Sequence, residues 1–213
     1  AMIAAVASDP ELRVLVINGA GPSFSAGGDL NNTFAMYDLP PAQAQPQIEW
    51  FYQRFLSVQT LEIPTIAALQ GNVIGAGLCL ALACDLRVAA TDSRLTMSFI
   101  KLGVSPGMGA TYLLPRLVGA SRALELFLTG EVLNAQQALD MGLVNHVVNS
   151  PQLAEFTLDL AARIAQNAPV AARLVKKAVY QGLSKDLQSC LQYEAMAQGI
   201  CSSTEDMKEA LAA

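Results

Sequence analysis

The sequence predicts an α/β layered core followed by a helical C-terminal part. Three observations carry this. Short continuous apolar runs, RVLVIN (13–18), PTIAAL (64–69) and LRVA (86–89), read as strands covered on both faces. Segments of helical length and composition separate them in the first half. Beyond residue 150 helical patterns follow one another without an intervening strand.

The elements follow in order. Met2–Ala7 is a short helix closed by Ser8-Asp9-Pro10, and Arg13–Asn18 a strand ended by Gly19-Ala20-Gly21-Pro22. SFSAGGDL (23–30) is a loop. A polar, proline-broken stretch then leads to a helix near Gln47–Gln59, and Pro64–Leu69 is a strand. Gly71–Ala76 turns into a helix over Gly77–Cys84, and Leu86–Ala89 is a strand. Thr96–Ser98 reads as a short strand, Met108–Leu117 and Arg122–Leu128 as helices, and Leu143–Val148 as the last strand. Asn134–Met141 is a helix with Gln137 three residues after its Asn134 cap. Helices over 151–167, 169–182, 185–200 and 203–212 complete the chain, the final one carrying a Ser202/Glu205 capping box. No repeat and no glycine- or serine-rich linker is visible. The division expected is 1–150 for the core and 151–213 for the helical region.

Bulk properties narrow the function. With 53% apolar and 15% charged residues, the 213-residue chain is globular. A net charge of −5 disfavours a nucleic-acid partner, which needs a basic face. The cysteines at 79, 84, 190 and 201 lack metal or redox spacing, and Cys79 and Cys84 sit in an apolar run, so a reducing cytoplasm is the simplest setting. The opening AMIAAVASDPELR has no basic region of the kind that starts a secretory signal. Residues 66–84 approach the length of a membrane span, but Gln70, Gly71 and Asn72 interrupt them with turn chemistry, so no membrane partner is expected. One histidine, scattered cysteines and no clustered acids offer no metal site.

Two motif matches fail on chemistry. Gly75-Ala76-Gly77 opens a helix as a dinucleotide turn would, but the third glycine of GxGxxG is replaced by Leu80. Gly103-Val104-Ser105-Pro106-Gly107 fits GxSxG, with Asp140 and His146 following in hydrolase order. That oxyanion hole needs the N–H of the residue after the serine, and Pro106 has none.

The glycine loops SFSAGGDL and GNVIGAGL remain. Each follows an apolar strand and can present backbone N–H groups unobstructed by side chains. The second also opens a helix, whose first N–H groups lack internal partners. Either alone reads as a tight turn. Converging, the two would hold an oxygen that becomes negative during reaction.

RVLVINGAGPSFSAGGDL, IPTIAALQGNVIGAGLCLALACDLRVAA and LGVSPGMGATYLLPRLVGASRALELFLTGEVLNAQQALDMGLVNHVV, in this order, resemble the crotonase (enoyl-CoA hydratase/isomerase) family. The resemblance runs from about residue 2 to about residue 200 and implies a spiral ββα core. It implies acyl-CoA thioester substrates with no further cofactor, and a homotrimer or dimer of trimers. The thioester carbonyl would be held by the N–H groups of Gly28 and Ala76, stabilising an enolate. Ala26, Asp29, Leu30 and Gly75 would bind the substrate, with Asp29 structuring its loop and Ala26 and Leu30 lining the acyl-CoA path.

The resemblance breaks at the acids. The two glutamates of hydratases fall on Cys79 and Phe99, and the aspartate of the phenylacetate-pathway isomerases, the most similar type, falls on Gly107. Hydration through paired glutamates is therefore not expected, and isomerase-type chemistry is favoured. Substitute acid/base candidates are Cys79, Asp38 and Glu49, with a core cysteine and surface acids as the alternative readings. Arg173, Lys176 and Lys177 could meet CoA phosphates or form a solvated face. The resemblance implies that most of the family's opening strand and helix segment and its closing Phe- and Lys/Arg-containing tail are missing here, through a short sequence or a reduced family member. The second functional reading is a non-catalytic acyl-CoA-binding or assembly subunit that has lost its acids.

Overall fold

The computed structural model describes residues 2–29 and 38–212. Helix α1 (Met2–Ser8) precedes strand β1 (Leu15–Asn18). Helix α2 (Pro41–Phe55) runs into a 3-10 turn over Leu56–Thr60. Then come β2 (Thr65–Leu69), β3 (Asn72–Ile74), α3 (Ala76–Ala83), β4 (Leu86–Ala90) and β5 (Arg94–Thr96). A 3-10 turn (Ser98–Leu102) leads to α4 (Ala110–Val118), α5 (Ala120–Thr129), β6 (Val132–Asn134), α6 (Ala135–Asp140) and β7 (His146–Val148). Helices α7 (Leu153–Ala165), α8 (Pro169–Gly182), α9 (Leu187–Cys201) and α10 (Glu205–Ala212) finish the chain.

Two sheets form the β layers. The first has the order β1-β2-β4-β7, with β2–β4 and β4–β7 parallel. The second has the order β3-β5-β6, parallel then antiparallel. Every residue of β2 is buried, as the unbroken apolar run predicts. The chain divides into two compact units: 1–15 with 61–64 and 159–213, and 16–60 with 65–158. The larger contains both glycine loops.

Most predicted elements appear where the sequence places them, and the departures are local. Helix α2 begins at Pro41 rather than near Gln47 and contains Pro46. Proline suits the first helical position, because the missing N–H would be unpaired there. Strands β3 and β6 were not expected, since three residues show no periodicity. The Ser202/Glu205 capping box is corrected: Ser202 ends α9 and its hydroxyl donates to the Gly199 carbonyl. The Thr204 hydroxyl instead accepts from the Met207 N–H at 3.4 Å. The Asn134/Gln137 box is formed in full.

Helix α3 is held at both ends. At its C-terminal end Arg87, 3% exposed, donates Nη1 to the carbonyls of Cys84 at 2.8 Å and Ala81 at 3.3 Å. Its Nε donates to the Leu143 carbonyl at 2.7 Å. A buried cation thus sits on the carbonyls of the helix end, at the negative end of the dipole. Near the N-terminal end Gly77 lies against Ser25: a Cβ on Gly77 would collide with the Ser25 Cβ and come within 2.6 Å of its Oγ. Between them Cys79 is fully buried, and that burial pushes its thiol up from 9.0 to about 12.

Three outcomes follow for stability. Gly77→Ala overpacks the Ser25 contact and costs about 1–3 kcal/mol in urea unfolding. Arg87→Met leaves buried carbonyls unpaired and costs about 3 kcal/mol by the same measurement. The native Cys79 thiol binds its proton more tightly than in the unfolded chain, so its contribution is complete below about pH 9 and lost as pH rises toward about 12. The stability gap between the parent protein and Cys79→Ala should therefore narrow over that window.

Candidate functional site

The two glycine loops meet. Ser25 forms a parallel bridge with Val73; its N–H donates to the Asn72 carbonyl and its carbonyl accepts from the Ile74 N–H, both at 3.0 Å. The chain from Ser25 to Gly27 therefore lies beside β3 and the turn after it. The Ser25 hydroxyl accepts from the Gly27 N–H at 3.2 Å, which bends the loop after the bridge. Gly27 has φ +106 and packs against the Ile74 carbonyl, a Cβ there standing 3.4 Å from that oxygen.

The second loop is set by Gly75, which has φ 50 and ψ −111 and donates its N–H to the Thr96 carbonyl at 2.9 Å. That conformation suits glycine and directs the chain straight into α3. Cys79 is the first residue whose N–H returns to the turn, on the Gly75 carbonyl at 3.0 Å. Among the described residues, nothing accepts the N–H of Ala76 or of Gly28. Ala76 is half-buried and Gly28 is exposed. An oxygen reaching the Ala76 N–H would also meet the positive end of the α3 dipole.

The remaining predicted residues divide. Gly75 is buried within the turn, whereas Ala26 and Asp29 are exposed on the first loop. Leu30 lies outside the described residues. Cys79 faces the Gly107 carbonyl, Sγ to O 3.7 Å, and its raised pKa leaves it a protonated thiol rather than a base near neutral pH. Asp38 is exposed just before α2. Glu49 is exposed on α2, accepts from Gln53 Nε2 at 3.2 Å, and borders a cleft of about 530 Å³. Leu39, Ala44, Ile48 and Tyr52 line the same cleft.

Lys176 is engaged elsewhere, its Nζ donating to the Ile63 carbonyl at 2.9 Å. His146 is exposed and rests its ring 5.2 Å from that of Phe156. Among the described residues no group of three or more His, Cys, Asp or Glu could hold a metal ion, and no helix is long and apolar enough to cross a membrane. Tyr52 lines the cleft but was not singled out by sequence reasoning. Its hydroxyl lies against the Cα of Gly107, where a Cβ would collide with it. Only the second half of that contact, a glycine after Pro106, carried any signal in the sequence.

Known proteins share this arrangement of chain. The sequence profile of the enoyl-CoA hydratase/isomerase family matches residues 1–213. The chain is 37% identical over 212 residues to the crotonyl-CoA hydratase of Syntrophomonas wolfei, covering 99% of this chain and 80% of that protein. It is 36% identical over 213 residues to the short-chain-enoyl-CoA hydratase of Clostridium acetobutylicum, covering 100% and 80%. Among solved structures, an enoyl-CoA hydratase from Bacillus anthracis matches with a TM-score of 0.91 at 36% identity, covering 99% of this chain and 81% of that one. An enoyl-CoA hydratase/isomerase from Cupriavidus metallidurans CH34 matches with 0.93 at 34%, covering 100% and 79%. The crotonase fold expected from the three sequence segments is thus the fold observed, and the chain belongs to the enoyl-CoA hydratase/isomerase family.

Proposed function

We propose that this chain binds acyl-CoA thioesters and carries out hydratase- or isomerase-type chemistry through an enolate, with the thioester carbonyl accepting from the N–H groups of Gly28 and Ala76. One observation carries the reading. The Ser25–Val73 bridge joins two loops whose N–H donors have no acceptor among the described residues. Preset donors cost nothing to orient when the carbonyl oxygen gains charge, and one such donor is worth about 3 kcal/mol. An enolate places its full negative charge on that oxygen, so the hole favours it over the neutral thioester.

The cleft beside α2 suits an acyl chain, since Leu39, Ala44 and Ile48 give it an apolar wall. The two curated relatives described above are both hydratases of enoyl-CoA thioesters, which supports the same substrate class here. The coenzyme enters as part of the substrate. A homotrimer or dimer of trimers would cover the exposed apolar side chains of Val175 and Val179 on α8, of Leu183 just after it, and of Leu187 and Leu191 on α9. The four cysteines are free thiols, in keeping with a reducing cytoplasm.

A single substitution tests the hole. Ala76 is the first residue of α3, where proline is well tolerated, and Gly75 before it adopts the mirror of an extended conformation. Ala76→Pro therefore removes one N–H and little else. The parent protein should bind crotonyl-CoA and convert it, with the product read by mass, and Ala76→Pro should lower kcat about 10²–10³-fold with the fold retained. Unchanged kcat in Ala76→Pro would overturn the assignment of that donor. Binding without conversion by the parent would point to an acyl-CoA-binding subunit instead.

A further inference from the structure

The family profile supplies a fold and a substrate class, but none of the positions where the resemblance places an acid carries one. Cys79, Phe99 and Gly107 stand there. The proton chemistry needs another group. The volume that a side chain at 107 would occupy is filled by the Tyr52 hydroxyl: a Cβ on Gly107 would collide with it and come within 2.7 Å of the Tyr52 Cζ. The glycine admits the phenol.

The surroundings tie this oxygen to the proposed hole. The Gly107 carbonyl accepts from the Cys79 thiol at 3.7 Å, and Cys79 is one turn along α3 from Ala76. The Cys79 N–H in turn donates to the Gly75 carbonyl at 3.0 Å. Gly107 therefore packs on the first turn of the helix whose N-terminus would hold the substrate carbonyl. Gly109 approaches the 3-10 turn that follows α2, a Cβ there standing 3.3 Å from Leu56 Cδ1. Tyr52 is half-buried and also lines the cleft with its apolar wall of Leu39, Ala44 and Ile48. It touches both the helix-facing turn and the space open to an acyl chain.

The other polar side chains nearby are less suited. Cys79 is enclosed, Ser105 and Thr111 are exposed hydroxyls, and Glu49 is exposed and already accepts from Gln53. We infer that the Tyr52 hydroxyl is the catalytic group that carries a proton to and from the α-carbon of the bound thioester. This rests on the functional reading above.

The step balances without an oxidant or a reductant. In hydration, water oxygen bonds to the β-carbon and the alkene π pair moves onto the thioester oxygen as an enolate. The enolate pair then forms a C–H bond at the α-carbon with the proton of the Tyr52 O–H. The phenolate left behind takes the proton that the water lost. One water is added and tyrosine ends as it began. Isomerisation and α-proton exchange start instead from the phenolate, the phenol having given its proton to solvent water. The phenolate takes a proton from one carbon, the phenol so formed returns a proton to the same or another carbon of the enolate, and the phenolate is regenerated.

Exchange of the α-protons of butyryl-CoA in D2O, followed by proton NMR, reads this step directly. Butyryl-CoA has no double bond to hydrate, so only enolate formation and return are observed. Parent protein should exchange these protons. Tyr52→Phe should slow the exchange, and kcat on crotonyl-CoA with it, about 10²–10⁴-fold while still binding butyryl-CoA with a Kd within about threefold of the parent value. Retained exchange in Tyr52→Phe overturns the inference. So does loss of butyryl-CoA binding, which makes Tyr52 a wall of the site, and so does loss of exchange in Glu49→Gln with Tyr52→Phe unaffected. Failure of the parent protein to bind butyryl-CoA at all would overturn the acyl-CoA reading itself, which the binding measurement separates from the failure of Tyr52.

Discussion

The approach of Ser25 to Gly77 is the contact on which the site depends. It brings the first glycine loop onto the first turn of α3, closer than any side chain at 77 would allow. The Ser25–Val73 bridge sets the height of the loop along β3. Gly75, turning at φ 50, then starts the helix at the same level. The two N–H groups of the proposed hole thus belong to segments held by backbone contacts rather than by a flexible side chain, and preorganisation of this kind is what would make such a hole effective.

The other end of α3 is fixed with equal care. Arg87 carries a positive charge into the core, and its partners there include the carbonyls of Leu143, Ala81 and Cys84. Burying a charge is costly unless its hydrogen bonds are met. Here they are met by carbonyls that the helix end and the chain at Leu143 would otherwise leave open. Thr65 and Asp85 add a second anchor between β2 and the residue before β4, with the Asp85 Oδ2 accepting from the Thr65 N–H at 2.7 Å and the Thr65 hydroxyl at 2.9 Å. The helix is short and apolar throughout, so without these clamps nothing in its own sequence would fix its rotation or its height.

Much of this was legible in the residues. Continuous apolar runs located β1, β2 and β4, and the Asn134/Gln137 pair located α6 with its cap. The glycine loops were legible as places of close approach, which glycine permits. What stayed hidden depends on contacts between distant segments. Strands β3 and β6 exist through their pairing with β5 and have too few residues to show a pattern. Tyr52 reads as one more aromatic on a polar helix until Gly107 is found beneath its hydroxyl. Ser202 and Thr204 compete for the same capping role, and the choice follows from where α9 stops.

The central claim is that the thioester carbonyl becomes polarised between two backbone donors. Isotope-edited infrared spectroscopy of crotonyl-CoA carrying carbon-13 at its carbonyl tests this most directly. Held by Gly28 and Ala76, the carbonyl stretch of the bound thioester should move to lower frequency than in free solution, and Ala76→Pro should reverse part of that shift. A bound thioester whose carbonyl stretch matches the value in water, unaltered by Ala76→Pro, would contradict the account.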